Sequence, residues 1–234
     1  MPFYYGFYID PYYIYLVLPA LVISILAQIG VKSTFSKYSR QFSRRSVPAS
    51  EVARQILDQN GLYQVSIQRV AGNLTDHYDP RTNVVSLSDS VYDSPSVASI
   101  GVAAHEVGHA IQHATGYVPI KIRNAIVPVA NIGSTLSIPL ALLGLFMGLP
   151  VLVDIGIILF ASVTLFQLVT LPVEFNASSR AIQSIEAGHM LEGGEVAGAK
   201  KVLRAAAMTY VAATLTAIAN LARIILLFGN RNRR

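Results

Sequence analysis

The chain has no cysteine and no tryptophan among its 234 residues. Without cysteine there are no disulfides and no thiolate metal site, so any metal must be held by His, Asp or Glu. Charge is also scarce: 13% of residues are charged against 53% hydrophobic, and mean hydropathy is +0.47. That balance is high for a soluble protein and points to the membrane. The net charge is +5, but the basic residues cluster beside apolar segments. Such a layout fits membrane topology rather than nucleic-acid binding, so no nucleic-acid partner is expected. The chain carries no internal repeat and no low-complexity tract.

Long apolar runs are present instead. The first covers about Tyr12 to Gly30, enough for a bilayer crossing of about 20 residues. Met1 to Pro11 carries no Lys or Arg and is rich in tyrosine, whereas Lys32, Lys37, Arg40, Arg44 and Arg45 follow the run. A cleaved signal peptide has the opposite order, so an uncleaved anchor is expected, with Lys32 onward in the cytoplasm. Ala125–Leu149 and Val151–Val173 form a second and third run, joined at Met147-Gly148-Leu149-Pro150. They read as a membrane hairpin that starts and ends on the cytoplasmic side, with Pro128 and Pro139 tolerated inside it. Ala205–Phe228 is a fourth candidate span. It contains Asn220 and Arg223 and is followed by Arg231, Arg233 and Arg234.

A polar region lies between the anchor and the hairpin. Ser50–Gly61 reads as a short helix with Ser50 as N-cap, an apolar face of Val52, Ala53, Ile56 and Leu57, and Gly61 as terminator. Tyr63–Val70 alternates apolar and polar residues as a strand does. Leu74–Tyr78 and Asn83–Leu87 flank the turn-forming Asp79-Pro80-Arg81-Thr82 and read as a small hairpin. Ser96–Ala114 should be helical. The expected architecture is a mainly α membrane protein. Its membrane helices accompany a small α+β zincin-like region, with a short sheet packed on the helix of the motif described next. The expected segments are an anchor (1–31), a cytoplasmic catalytic region (32–120), a transmembrane hairpin (121–173), a third-ligand helix and linker (174–204), and a C-terminal membrane or membrane-associated helix with a basic tail (205–234).

The chemistry sits in His105-Glu106-Val107-Gly108-His109, an H-E-x-x-H motif. On a helix, residues four apart share a face, so both imidazoles can reach one metal ion. Glu106 can reach a water at that metal and act as general base. The surrounding residues are small and apolar (Ile100 to Ala104, Ala110, Ile111), and polar groups rarely enter such a helix without partners. Gly108 costs about 1 kcal/mol of helix propensity relative to alanine, which predicts a close-packed second helix there. A hydrolytic zinc site takes a third protein ligand. His113 lies about 12 Å along the axis from His105, too far for one straight helix to bring it to the same ion. His77, on the small hairpin, could approach the site. Glu174, just after the third apolar run, is favoured, because two crossings return the chain to the side of the motif and a carboxylate there needs a partner. Its alternative is an interfacial glutamate paired with Arg180.

Four stretches carry a family resemblance: Tyr78-Asp79-Pro80, Asn83–Ser88, Val102–Gln112 and Leu171-Pro172-Val173-Glu174-Phe175-Asn176-Ala177-Ser178. They resemble the neutral zinc metallopeptidases typified by YugP, over nearly the whole chain. That family is similar to the HtpX/CAAX-protease type of membrane zinc peptidase, whose third ligand is a glutamate on a later helix. The resemblance implies Zn2+ on His105, His109 and Glu174, Glu106 as base, and a bacterial, gluzincin-like zinc metalloendopeptidase. In the HtpX type an aspartate four residues after the ligand glutamate supports a histidine, whereas this chain has Ser178 there. The expected partners are a peptide or protein substrate near the membrane and the lipid bilayer. The expected location is the cell membrane, multi-pass, with the site facing the cytoplasm. The strand around Asn83–Leu87 is expected to pair with an extended substrate. Two other readings remain open: a site-2-type intramembrane protease taking Asp154 as third ligand, and a non-catalytic scaffold whose metal only fixes the fold. Nothing in the sequence sets the oligomeric state.

Overall fold

The computed structural model describes residues 10–228. Residues 1–9, most of the tyrosine-rich start, and the arginines of the basic tail lie outside the described residues. A π-helical turn, Tyr13–Val17, leads into α1 (Leu18–Tyr38). Then come α2 (Ala49–Gln59), β1 (Ser66–Val70), β2 (His77–Asp79), β3 (Val84–Ser88) and α3 (Val97–Ala114). Three long helices complete the chain: α4 (Val118–Met147), α5 (Pro150–Ala187) and α6 (Gly194–Phe228). Four helices are long and apolar enough to cross a membrane, namely Tyr13–Tyr38, α4, α5 and α6. The protein is thus mainly α, with one small three-stranded sheet.

Residues 27–124 and 169–210 form one compact unit. Its core includes Ile56, Leu57, Leu87, Ile100, Val107 and Ile185. The expected face of α2 is buried, but Ser50 is not its cap. Pro48 holds the N-cap position, while the amides of Ala49 and Ser50 donate to the carbonyls of Ser94 and Tyr92, both at 3.1 Å. A neighbouring loop therefore satisfies the helix start that a side chain was expected to satisfy. Gly61, at φ +72°, follows the helix end. The first strand is shorter than the alternation suggests. The Arg54 guanidinium takes the carbonyls of Val65 and Leu62 at 2.6 and 3.0 Å, so pairing begins only at Ser66.

The sheet order is β1-β3-β2. β1 runs parallel to β3, with Ser66 opposite Val84, and β2 runs antiparallel to it, with His77 opposite Ser86. The expected hairpin is present. The Asp76 carboxylate fixes it by accepting from the Ser88 amide at 2.7 Å and the Ser88 hydroxyl at 3.0 Å. Pairing of substrate on Asn83–Leu87 is overturned, because β3 is the central strand and both its edges are taken. The strand with an unpaired edge on the α3 side of the sheet is β2.

The second unit comprises residues 10–26, 125–168 and 211–228 of the described chain. α4 and α5 form the expected hairpin around Gly148 (φ +66°). A Cβ on Gly133 would lie 2.5 Å from the Leu159 carbonyl oxygen, and one on Gly156 2.7 Å from that of Ser137. Such close backbone approach drives helix association where there is no water to expel. Arg223 is paired: its guanidinium holds Asp10 at 2.6 and 3.0 Å and lies over the Tyr13 ring.

α5 carries the site into the first unit. It continues unbroken through Pro172 and Glu174 to Ala187. Glu174 therefore stands inside the helix of the third apolar run, and the segment 174–204 begins partway along it.

Candidate metal centre

α3 is positioned from its first residue. The Ser96 hydroxyl accepts the Ser99 amide at 3.1 Å as an N-cap, and Ile100, Ala103, Ala104 and Val107 bury one side. Gly108 then sets the approach of α5. A Cβ there would stand 2.5 Å from the carbonyl oxygen of Ala177, so only glycine lets the two backbones come this close. This is the second helix that the propensity cost of Gly108 predicts. Ala177 is three residues beyond Glu174, so the contact also brings Glu174 to the histidines.

One oxygen, Glu174 Oε2, lies 3.3 Å from His105 Nε2 and 3.6 Å from His109 Nε2. The side chains of His105, His109 and Glu174 are only 15%, 12% and 5% exposed, and one donor atom from each lies within 4.8 Å of the others. Among the described residues this is the one group of three or more His, Asp or Glu side chains able to hold a metal. Zinc bonds of about 2.0–2.2 Å in a tetrahedron place neighbouring donors about 3.3–3.6 Å apart. The two measured separations match that edge length.

The rest of each imidazole is already engaged. Gln112 is fully buried. Its amide nitrogen donates to the Val173 carbonyl at 2.8 Å and to Asn176 Oδ1 at 3.0 Å. Its oxygen is therefore left to accept from His109 Nδ1, 3.0 Å away. That keeps a proton on Nδ1 and leaves Nε2 as the atom that faces Glu174 and could ligate a metal. Ser178 Oγ stands 3.2 Å from His105 Nδ1 and can do the same for the first histidine. Burial alone would lower the pKa of His109. The Glu174 hydrogen bond and the charges of Glu106 and Glu174 outweigh it and hold the pKa above its ordinary value. The local field therefore favours a positive charge, and the donor set fits a zinc ion.

The three donors line a cleft of about 200 Å³ together with Glu106, His77, Tyr78, Arg123 and Tyr210. Glu106 is largely buried, yet it has no hydrogen-bond partner among the described residues. Its lone pairs remain available towards the cleft. His113 also lines it, with its ring 5.6 Å from that of Tyr78 and its pKa lowered by burial, but it is outside the donor group. The same holds for His77, an exposed strand residue. Arg180 does not pair with Glu174. It donates to Asn176 Oδ1 at 2.8 Å and lies over Tyr117. Asp154 belongs to the other compact unit, is outside the donor group and is exposed.

Three residues of the site were not legible in the sequence as site residues. Arg123 sits one turn into α4, with its guanidinium 3.7 Å from Glu174 Oε1 and a buried Nε that has no acceptor. Gln112 and Asn176 form the relay behind His109. The available signal was two amides on apolar helices, each within three residues of a candidate ligand.

Two histidines one helical turn apart and a carboxylate from a second helix form a group that could hold a metal ion, with a further glutamate in the same cleft. The chain belongs to the family described as "Putative neutral zinc metallopeptidase", whose profile matches residues 13–229. It is 48% identical over 218 residues to the "Putative membrane protease YugP" of Bacillus subtilis (strain 168), covering 93% of this chain and 97% of that protein. No solved structure matches the chain.

Proposed function

We propose that the protein is a membrane-bound zinc metalloendopeptidase, with His105, His109 and Glu174 as ligands and Glu106 as general base. The observation that carries this reading is the convergence of one Glu174 oxygen on both histidine Nε2 atoms. When bound, zinc supplies the positive charge that polarises a peptide carbonyl and brings the pKa of water towards neutrality. Glu106 accepts the proton of the attacking water on a carboxylate oxygen and passes it to the departing amide nitrogen. Gln112 and Ser178 keep the imidazoles oriented throughout. Arg123, which lines the cleft with its guanidinium beside Glu174, holds the negative charge that develops on the carbonyl oxygen.

The substrate is a peptide or unfolded protein segment at the membrane surface, bound in extended form. Its backbone pairs with the free edge of β2, whose His77 and Tyr78 line the cleft. The cluster Lys32, Lys37, Arg40, Arg44 and Arg45 after the first apolar run supports a site on the cytoplasmic side.

The test uses the full chain in detergent, an unfolded protein as substrate and elemental analysis of bound zinc. Glu106→Gln is expected to keep its zinc and lose about 10²–10⁴-fold in rate. Cleavage at the wild-type rate would refute the base. Glu174→Ala is expected to lose zinc, and full occupancy in that variant would refute the ligand set. Zinc loss in Asp154→Ala with retention in Glu174→Ala would favour the site-2 arrangement. A zinc-loaded wild type that cleaves nothing would favour a scaffold.

A further inference from the structure

A second feature of the first unit lies outside the metal centre. α1 and α6 border a groove of about 380 Å³ lined by Ser33, Thr34, Lys37, Lys201, Arg204 and Met208, among others. Ser33 and Lys37 lie one turn apart on α1, and Lys201 and Arg204 nearly one turn apart on α6, so each helix presents its cations on one face. No carboxylate lines the groove. Among the described residues, none of the three cations has an acidic partner, whereas the adjacent Lys200 is held by Glu186 at 2.7 Å. Three unpaired like charges around one concavity repel one another, and a bound anion removes that cost.

We infer that this groove binds the phosphate headgroup of an anionic phospholipid. Arg204 offers a planar fork to phosphate oxygens, the lysines offer point charges, and the Ser33 and Thr34 hydroxyls add neutral donors. A lipid is favoured over free phosphate because both walls belong to helices long and apolar enough to cross a membrane. The groove wall itself includes Met208, 43% exposed, and Ile29 on α1 is 58% exposed. The groove therefore combines headgroup chemistry with apolar surface suited to acyl chains. The inference does not depend on the metallopeptidase reading, since lipid binding is read without proteolysis.

The test is native mass spectrometry of the full chain in detergent, titrated with phosphatidylglycerol or phosphatidylcholine. One phosphatidylglycerol is expected to bind at least about tenfold more tightly than phosphatidylcholine. The combined variant Lys37→Gln, Lys201→Gln, Arg204→Gln is expected to lose that preference. A control with the same change in charge, Lys32→Gln, Arg40→Gln, Lys121→Gln, should keep it. Thermal melting checks that both variants fold. If the groove variant does not, Lys201→Gln and Arg204→Gln singly should each weaken binding about fivefold. Equal loss in the control, equal binding of phosphatidylcholine, or displacement by millimolar inorganic phosphate would each overturn the lipid assignment.

Discussion

The two compact units differ in the polar groups they bury: hydroxyls are buried in both, an amide and carboxylates in one only. In the apolar unit the buried polar side chains are hydroxyls: Ser137, Thr164 and Thr214. A hydroxyl can be satisfied on its own helix, as when Thr164 donates to the Phe160 carbonyl one turn back at 3.2 Å, and leaving one unpaired, as at Ser137, costs far less than leaving a carboxylate so. The other unit buries an amide, Gln112, and three carboxylates, Glu106, Glu174 and Glu195. A carboxylate has no such local remedy and needs donors or cations. Glu195 finds them in the amides of Arg44 and Glu192, both at 2.9 Å. Glu174 finds two imidazoles and Arg123. Glu106 has no hydrogen-bond donor among the described residues and only the charge of His109 nearby. The contrast separates polarity that only holds helices from polarity aimed at a ligand, and Glu106 is the residue whose partner must come from outside.

That contrast can be broken or sharpened experimentally. The largest effect is expected from removing metal with a chelator. Peptide cleavage should vanish and return on adding zinc, while most of the helicity read by circular dichroism is kept. Retained cleavage in the chelated protein would undo the role given to Glu174. Next is Gln112→Ala, which frees His109 Nδ1. Zinc affinity or activity should fall about 10–100-fold, and titration with a competing chelator reads this directly. An unchanged affinity would show that Gln112 only fills space.

Glycine substitutions compare the two units at equal size. Gly108→Ala and Gly156→Ala each add one methyl against a carbonyl oxygen, and each should destabilise by about 1–3 kcal/mol in thermal unfolding. Only Gly108→Ala should also lower zinc affinity, because it displaces the helix that carries Glu174. Equal zinc affinity in both variants would mean that the approach at Gly108 does not set the site. The smallest effect is expected from Asp10→Asn. Losing that partly exposed ion pair should cost about 0–1 kcal/mol and leave cleavage unchanged. A large loss of activity would tie the apolar unit to the chemistry.

Much of the site was legible in the chain. The fixed spacing of His105, Glu106 and His109 follows from helix geometry alone, and the cost of Gly108 announced a second backbone nearby. Glu174 stood out because a carboxylate at the end of an apolar run needs a partner. Arg123 and Asn176 were not legible, since each lies far from its partners in sequence and only packing joins them. The strand that faces the cleft was misassigned for a related reason. The turn-forming Asp79-Pro80-Arg81-Thr82 marks β3 as a strand, but strand order is a tertiary property, and β1 and β2 occupy both its edges.

By itself the sequence determined the absence of thiolate chemistry, the four apolar helices and the pair of histidines on one helical face. These depend on residue type and on spacing within a single element, which short-range geometry governs. The tertiary structure decided which carboxylate meets those histidines, which proton tautomer they adopt and which glutamate stays unpaired. Those outcomes depend on α3 and α5 approaching closely at Gly108, and on Gln112 reaching across to Val173 and Asn176.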